Sequence, residues 1–305
     1  MTAASAALTC VRPPVPPDAV TLPLRRPCEP QPTSGTFAVD LVAAAQDDDD
    51  PFTEIIATVW DTPQPVDSRN WPVVAADGPC RLRRQPTCTS SCGQGVCFPN
   101  DRCGPFPRLV DVGTMTVTGL ETPIELAWRE SIGYPAPTLS AWPPFSPGQP
   151  VGLAATGGPV SPFTLAGEGI EPLRFDGDGA VVARGRSFRF TWTPPAEPTR
   201  AMVKAVLILT PSMPVSIVDC DLPDDGVGEM PAALVDRLLD DGINGYPHLY
   251  LSRQTVDSRD TERGCIEFWV RSRLRSNPPV EGVTSCSETG ECLPPATCLP
   301  NFTCG

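Results

Sequence analysis

The sequence predicts a mainly β fold, namely an antiparallel β-sandwich (Ig-like) with one short helix and two small disulfide-stapled cysteine modules. Three observations predict this class. Proline makes up 40 of the 305 residues, and long helices cannot absorb so many, because each proline removes a backbone donor and clashes with the preceding turn. Several segments alternate apolar and polar residues with period two, as half-buried strands do. The cysteines gather in two short clusters, which is typical of small units held together by disulfides.

The N-terminal part of the chain is predicted to consist of a tether, a segment of strands and a cysteine module. Residues 1–35 have the composition of a proline-rich tether. Residues 36–79 hold one or two strand candidates, TFAVDLVAAA and FTEIIATVW, separated by the acidic run DDDDP, which is predicted to be a solvated turn. Residues 80–107 are predicted to be the first cysteine module, which has too few apolar residues for a core of its own and needs cross-links instead.

Residues 108–280 are predicted to form the β-sandwich. In GTMTVTG, Met115 and Val117 face one way and the threonines the other, and IELAW and SFRFTWT repeat this alternation. AMVKAVLIL is almost continuously apolar, which predicts a central strand that is buried on both faces. HLYLSR and CIEFWVRSR are predicted to be two closing strands, and turn signals such as PFSPGQP and TGGPVSP separate the elements.

One helix is predicted at PAALVDRLLDDG. Leu234, Val235, Leu238 and Leu239 form a single apolar stripe on it. The proline suits the first turn of a helix, and the glycine suits its end. Residues 281–305, at the end of the chain, are predicted to be the second cysteine module.

The two cysteine modules resemble each other in spacing. SCGQGVCFPNDRC and SCSETGECLPPATC differ by one extra residue before the glycine of the second. Zinc is an alternative to disulfides, because Cys88 and Cys92 have a spacing that zinc ligands use. However, the chain has no C-x-x-C pair, and its single histidine, His248, is remote from both clusters. Disulfides are therefore favoured, and with them an oxidising compartment.

Twelve cysteines are predicted to form six disulfides. Cys220 and Cys265 are the two cysteines of the predicted sandwich, so we pair them. The second cluster holds four cysteines and closes on itself, whereas the odd member of the five in the first cluster is left to pair with Cys28. The twelve are Cys28, Cys80, Cys88, Cys92, Cys97, Cys103, Cys220, Cys265, Cys286, Cys292, Cys298 and Cys304.

The thirteenth cysteine, Cys10, is a candidate for lipidation. MTAASAALTC lacks the basic and apolar regions of a usual secretory signal, yet its A-L-T-C resembles the end of a bacterial lipoprotein signal. Two alternatives remain open, a signal upstream of a misplaced start and an alanine-rich disordered N-terminus. No run reaches 18 apolar residues, so no transmembrane helix is predicted. The expected location is extracytoplasmic, at the outer membrane surface or secreted, with the membrane reached only through such a lipid.

The charge balance restricts the class of partner. The chain has 23 basic and 36 acidic residues, a net charge of −13. Nucleic-acid binding needs clustered cations, so it is excluded. An extracellular polymer, a surface or another protein is the expected partner. Lys204 is the only lysine, and this skew towards arginine, with the abundance of proline and alanine, indicates a high-GC bacterial genome.

The segment DCDLPDDG is a weak candidate for a calcium site, and calcium is the one cofactor that the sequence suggests. Carboxylate oxygens are ligands that calcium prefers, although the register is not that of an EF-hand. The favoured interpretation is a turn whose acids precede a helix N-terminus, where the helix dipole stabilises them. The four carboxylates are those of Asp219, Asp221, Asp224 and Asp225.

No catalytic residue is predicted. His248 has the only side chain with an ordinary pKa near neutral, and it shares a predicted strand face with Tyr250 and Ser252. Side chains in a line along one strand do not by themselves form a nucleophile and base with an oriented third group. His248 is therefore interpreted as an exposed strand residue, and FDGDG, with Asp176 and Asp178, as a hairpin turn.

The order of several motifs resembles a known pattern. GTMTVTGL, PFSPG, FTWTP and DCDLPDDGVGEMPAALVDRL, spread over roughly residues 110–250, are similar to motifs of uncharacterised secreted lipoproteins of myxobacteria and their relatives. The short C-x-x-G-x-C modules resemble cysteine repeats of surface proteins from the same group. The resemblance implies export but no reaction, so no catalytic residue is carried over.

Two functions are therefore compared. The first is a cell-surface or secreted, non-catalytic binding or structural protein, which is favoured because binding residues usually lie on loops and this chain is rich in them. The alternative is a hydrolase of an extracellular polymer that uses paired carboxylates, which would need a cleft with two carboxyl groups about 5–10 Å apart.

Overall fold

The structure is a computed structural model that describes residues 27–28, 31–43, 50–130, 132–135, 137–139, 141–175, 180–197, 199–211 and 215–305. Cys10, most of the predicted tether, most of the acidic run and the turn residues Asp176 and Asp178 lie outside this part of the chain. The secondary structure that it contains is almost entirely β.

Seventeen strands, one α-helix and two short 3-10 helices are found among the described residues. The strands are β1 (Thr33–Val42), β2 (Phe52–Val59), β3 (Val73–Asp77), β4 (Cys80–Arg84), β5 (Val96–Phe98), β6 (Arg102–Gly104), β7 (Met115–Thr118), β8 (Ile124–Leu126), β9 (Thr138–Leu139), β10 (Pro150–Ala155), β11 (Phe163–Glu168), β12 (Phe188–Thr191), β13 (Met202–Ile208), β14 (Ser216–Pro223), β15 (Val227–Met230), β16 (His248–Thr261) and β17 (Gly264–Ser276). The helix α1 spans Ala232–Asp240, and the 3-10 turns span Ser68–Asn70 and Thr289–Glu291.

The largest sheet has nine strands in the order β3-β4-β14-β13-β16-β17-β1-β2-β9. Its neighbours are antiparallel except for β1 and β17, which run parallel. The segment that was predicted as N-terminal strands therefore supplies β1 and β2, which are hydrogen-bonded beside β17 from the far end of the sequence. Three smaller sheets accompany the large one: β11-β10-β7-β8, β12-β15 and β5-β6.

One face of the nine-stranded sheet covers two apolar cores that lie side by side. In the first core, residues of β1, β2 and β17 pack against the four-stranded sheet, for example Phe37 and Phe268 against Met115 and Leu165. In the second core, residues of β4, β13, β14 and β16 pack against the β12-β15 ribbon and α1. The predicted mainly β fold, with an antiparallel sandwich, one short helix and disulfide-stapled modules, is confirmed.

The helix forms where its apolar stripe predicts it. Leu234, Val235 and Leu238 are buried in the second core, and Leu239 packs against it from a partly buried position. The prediction that the neighbouring β13 is buried on both faces is wrong, because burial alternates along the strand. One face of β13 covers the second core, and the other carries Lys204 towards a polar surface.

Six disulfides join the twelve described cysteines, and two of the predicted pairings are wrong. Cys220 is bonded to Cys80 and not to Cys265, and Cys265 is bonded to Cys28. The pairing of strands is the cause, since Cys80 lies directly opposite Cys220 across β4 and β14. Cys28 lies shortly before β1, whose first residue, Thr33, lies opposite Cys265.

The remaining four disulfides close the two modules separately. In the first module Cys88 is bonded to Cys97 and Cys92 to Cys103. Cys97 and Cys103 lie opposite each other on the hairpin β5-β6. In the second module the bonds are Cys286–Cys298 and Cys292–Cys304, so the prediction that this cluster closes on itself is confirmed. Every described cysteine is disulfide-bonded, which leaves these modules without the thiolates that the zinc alternative needs.

Candidate functional site

The face of the nine-stranded sheet opposite the two cores, here called the outer face, carries a layer of charged side chains. The residues on it alternate with core residues along each strand, as period two requires. Six cations and six carboxylates take part in its ion pairs: Arg69, Arg81, Arg83, Lys204, Arg271, Arg273, Asp40, Glu54, Asp67, Asp219, Asp221 and Glu267.

A loop that follows β2 lies over part of this face and brings in Arg69. Asp67 caps the 3-10 turn by accepting a hydrogen bond from the backbone N–H of Arg69, at 3.0 Å. The side-chain amide of Asn70 holds the loop on β1, donating to the carbonyl oxygen of Thr33 and accepting from its N–H. The loop therefore has a defined geometry, and it delivers one guanidinium to the sheet.

Arg69 and Arg271 both lie against the indole of Trp269. Their guanidinium carbons are 4.4 Å and 4.3 Å from the centre of its ring, within cation–π distance. Arg69 also donates to Glu267 at 2.9 Å, whose other carboxylate oxygen accepts from the backbone N–H of Cys28. Trp269 is 8% exposed, so this group is an ordered and nearly buried part of the face.

A second cluster surrounds Asp219, which is 1% exposed. Its carboxylate accepts hydrogen bonds from Arg83 at 2.8 Å, Lys204 at 2.8 Å and Arg81 at 3.0 Å. Arg81 and Lys204 also pair with Asp221. Burial alone would raise the pKa of Asp219, but Lys204, Arg83 and Arg81 outweigh it and hold that pKa below its ordinary value.

Between these clusters the outer face is hollowed into a cleft of about 380 Å³, here called the outer cleft. Its floor is formed by β13, β14, β16, β17, β1 and β2, and its rim by the loop that carries Asp67 and Arg69. Its lining includes the side chains of Lys204, Ser252, Gln254, Trp269 and Arg271. The volume falls within the range of about 300–1,000 Å³ that small-molecule sites occupy.

A larger concavity of about 710 Å³ lies between the first cysteine module and the loop after β2. Five prolines line it, together with residues such as Phe98 and Arg102, and the amide of Asn70 on its wall already bonds to β1 and to Gln64. It offers fewer converging polar groups than the outer cleft, which is therefore the candidate site.

The four carboxylates of DCDLPDDG do not converge on one point. Asp219 and Asp221 bind Arg81 and Lys204 on the outer face, whereas Asp224 is buried on the opposite side with Arg253, at 3.0 Å from its Nη2. Asp225 accepts from the N–H of Val227 within its own turn. The favoured interpretation, a turn whose acids precede a helix, holds only in part. Asp219 and Asp221 lie in strand β14, and β15 separates the turn with Asp224 and Asp225 from α1.

Calcium is expected to leave the stability unchanged. The carboxylates of Asp219, Asp221 and Asp224 already pair with arginine or lysine, so a bound ion would first have to displace those cations. We expect the same melting temperature after addition of 5 mM CaCl₂ and after addition of EDTA, at roughly equal ionic strength. A melting temperature that rises with calcium and falls with EDTA would contradict this.

His248 lies at the edge of the same face. Its Nδ1 is 3.0 Å from the hydroxyl of Tyr250, and it is partly buried and not fully exposed as predicted. Burial, followed by the charge of Arg275, lowers its pKa. Ser252 continues the line of side chains into the outer cleft, so no nucleophile–base pair is formed by His248 and Ser252 in the described structure.

The stability should depend on pH through Asp219. Its folded-state pKa lies below the unfolded value of 3.8, so its contribution is present above pH 3.8 and is lost as the pH falls through the folded pKa. We expect the free energy of unfolding to fall between about pH 5 and pH 2, and the fall to be smaller in Asp219→Asn. Asp225→Asn, on an exposed turn nearby, is the control, and an equal fall in all three proteins would refute this origin.

The sequence reasoning missed the outer cleft, although part of its signal was visible. Alternation along β17 places Glu267, Trp269, Arg271 and Arg273 on one face, which is an unusual set for the exposed side of a strand. Arg69 left no comparable signal, because its position depends on how the loop folds back over the sheet.

Comparisons with known proteins leave the family open. No protein-family model matches the chain, and no curated protein matches it significantly. Among solved structures, the crystal structure of the FN1–FN3 domains of chicken CNTN1 shows similarity at 6% identity, covering 72% of this chain and 70% of that chain. The TM-score is 0.19, at which the two chains do not superpose as a common fold, so this similarity carries no argument.

Proposed function

We propose that the protein is a secreted or cell-surface, non-catalytic binding protein whose ligand site is the outer cleft. The observation that carries this proposal is Gln254. Its side chain lines the cleft, is 4% exposed, and makes no hydrogen bond within the described part of the chain. The amide is not one of the fully buried polar groups that lack a partner in the described structure, so it opens into the cleft, where a ligand would hydrogen-bond to it.

The six disulfides support an extracytoplasmic location. Disulfides form and persist in oxidising compartments and are rare in the cytosol. No helix among the described residues has the length and apolar character that crossing a bilayer requires. The resemblance to secreted lipoproteins of myxobacteria agrees with this location.

Cys10 is retained as the candidate lipid anchor. The twelve cysteines of the described chain are bonded to one another. A cysteine after A-L-T is compatible with lipidation. Mass spectrometry of the N-terminal peptide from the native host tests it, and an unmodified Cys10 would remove the anchor from the proposal.

The pKa values of the cleft carboxylates favour binding over hydrolysis. Asp67 and Asp219 both line the cleft, so the paired acids of the alternative function are present. Burial would raise the pKa of Asp67, but Arg69 outweighs it and lowers that pKa, as Lys204 and its neighbours do for Asp219. A glycosidase acid needs a raised pKa in order to keep its proton, and neither carboxylate has one.

The proposal is tested by blocking the cleft. Wild type, Ser252→Trp and Thr164→Trp are compared for cosedimentation with purified extracellular polysaccharides and cell envelopes, because these are the expected partners. Ser252 lies in the cleft, whereas Thr164 is exposed on β11 in the other sheet. Binding by wild type and Thr164→Trp but not by Ser252→Trp supports the proposal, and equal binding by all three would contradict the site.

A further inference from the structure

The floor of the outer cleft carries four polar side chains whose hydrogen-bond donors are not all used within the described structure. Ser252 and Gln254 follow each other on one face of β16, with Lys204 opposite Ser252 on β13 and Arg271 opposite Gln254 on β17. Neighbouring strands are about 4.8 Å apart, so the two cations flank the two neutral groups across three adjacent strands. All four side chains line the cleft.

Each of the four has hydrogen-bonding capacity left over. Arg271 donates to Asp40 through Nε and Nη2, and within the described residues its Nη1 has no acceptor. Lys204 donates to Asp219 and Asp221, and its ammonium carries a third N–H. The hydroxyl of Ser252 and the amide of Gln254 make no hydrogen bond in the described structure. Donors that are left over within the described residues therefore line one cleft.

Cations line the cleft in larger number than carboxylates. Arg69, Arg83, Lys204 and Arg271 line it, with the carboxylates of Asp67 and Asp219. The cations also pair with Asp40, Asp221 and Glu267 just outside the lining, so an anion would be held by their remaining N–H donors and not by a net positive charge. Both lining carboxylates already accept hydrogen bonds from arginine or lysine, whereas the donors on the floor remain open.

We propose that the outer cleft binds a small carboxylate that carries neighbouring hydroxyl groups, of the class of a hexuronate. The carboxylate would lie between Lys204 and Arg271, where charge-assisted hydrogen bonds are strong. A hydroxyl group both donates and accepts, as do the amide of Gln254 and the hydroxyl of Ser252, so the ring hydroxyls would satisfy both. This inference rests on the proposed function and names the ligand chemistry of the same site.

A sugar bound in the cleft would not stack on the indole of Trp269. The guanidinium groups of Arg69 and Arg271 lie over that ring, so a ligand meets the arginines and not the indole. Recognition would therefore depend on charge and hydrogen bonding, and it should weaken as salt screens the two cations.

The test is isothermal titration calorimetry of the full chain with D-glucuronate, D-glucose and L-glutamate at pH 7 and low ionic strength. Glucuronate should bind, and glucose and glutamate should bind at least about tenfold more weakly. In Gln254→Met the affinity for glucuronate should fall at least about tenfold because the amide is lost. In Gln254→Glu it should be abolished, because the new carboxylate lies opposite Arg271 and competes for it.

Gln85→Met is the matched control, since Gln85 lies beyond β4 and outside the cleft. It should bind as wild type does, and neither it nor the Gln254 variants should melt below the wild type. Absence of glucuronate binding, equal binding of glucose, equal binding of glutamate, or unchanged affinity in Gln254→Glu would each overturn the hexuronate assignment. The polymer experiment decides the proposed function separately, because Ser252→Trp blocks the cleft to any ligand.

Discussion

The Cys80→Ala/Cys220→Ala variant is expected to lose about 4–5 kcal/mol of its free energy of unfolding. The two cysteines are 140 residues apart and join β4 to β14 in the middle of the second core, where both are fully buried. In the chain-entropy model a bond across so long a loop restricts the unfolded chain by about 5 kcal/mol. Equilibrium unfolding in urea measures the loss.

The control is Cys88→Ala/Cys97→Ala, which opens a loop of nine residues in the first module. The chain-entropy model assigns such a bond about 3 kcal/mol, and no residue between Cys88 and Cys103 belongs to the two main cores. The change in the main unfolding transition should therefore be smaller than in the first variant. A control variant as unstable as Cys80→Ala/Cys220→Ala would show that loop length and position do not set the effect.

Asp224→Ala is expected to destabilise the protein by about 3–5 kcal/mol. Asp224 and Arg253 form an ion pair with side chains that are 5% and 2% exposed. Asp224 also accepts a hydrogen bond from the indole of Trp192 at 2.8 Å, and Arg253 donates to the carbonyl oxygen of Thr193 at 2.7 Å. The substitution would leave a buried guanidinium without its counter-charge, and an uncompensated buried charge strongly lowers the free energy of unfolding.

The double variant Arg253→Met/Asp224→Leu separates the charge from the packing. Replacement of both charges by apolar side chains removes the uncompensated charge, so it should cost less than Asp224→Ala alone. Urea unfolding of the wild type, of Arg253→Met, of Asp224→Leu and of the double variant forms the cycle. A double variant at least as unstable as the sum of the two single ones would show that the hydrogen bonds to Trp192 and Thr193 dominate.

Local pattern was sufficient to predict eight of the seventeen strands and the helix. Met115 with Val117, and Phe188 with Phe190, are buried at alternate positions as the sequence predicts, because a strand of period two needs only its own residues to separate two faces. The helix was predictable for the same reason, since its stripe is formed by residues within nine positions of the chain. The clusters of cysteines likewise indicated disulfides, and the second cluster closed within itself.

The partners across the sheet were not predictable. Asp40 pairs with Arg271 because β1 lies parallel to β17, more than 200 residues later in the chain. Asp219 meets Arg81 and Arg83 because β14 lies beside β4. One sequence cannot reveal which strands are neighbours, since every strand with an apolar face could cover the same core.

By itself, then, the sequence determined eight of the seventeen strands, where the single helix of the described chain lies, and that the cysteine-rich modules are held by disulfides. Those properties depend on contacts between residues that are close in the chain. Only the tertiary structure decided that Cys28 binds Cys265, that Cys80 binds Cys220, and that Lys204, Gln254 and Arg271 line one cleft. These depend on the order of nine strands, which the free energy of the whole sheet selects and no short pattern encodes.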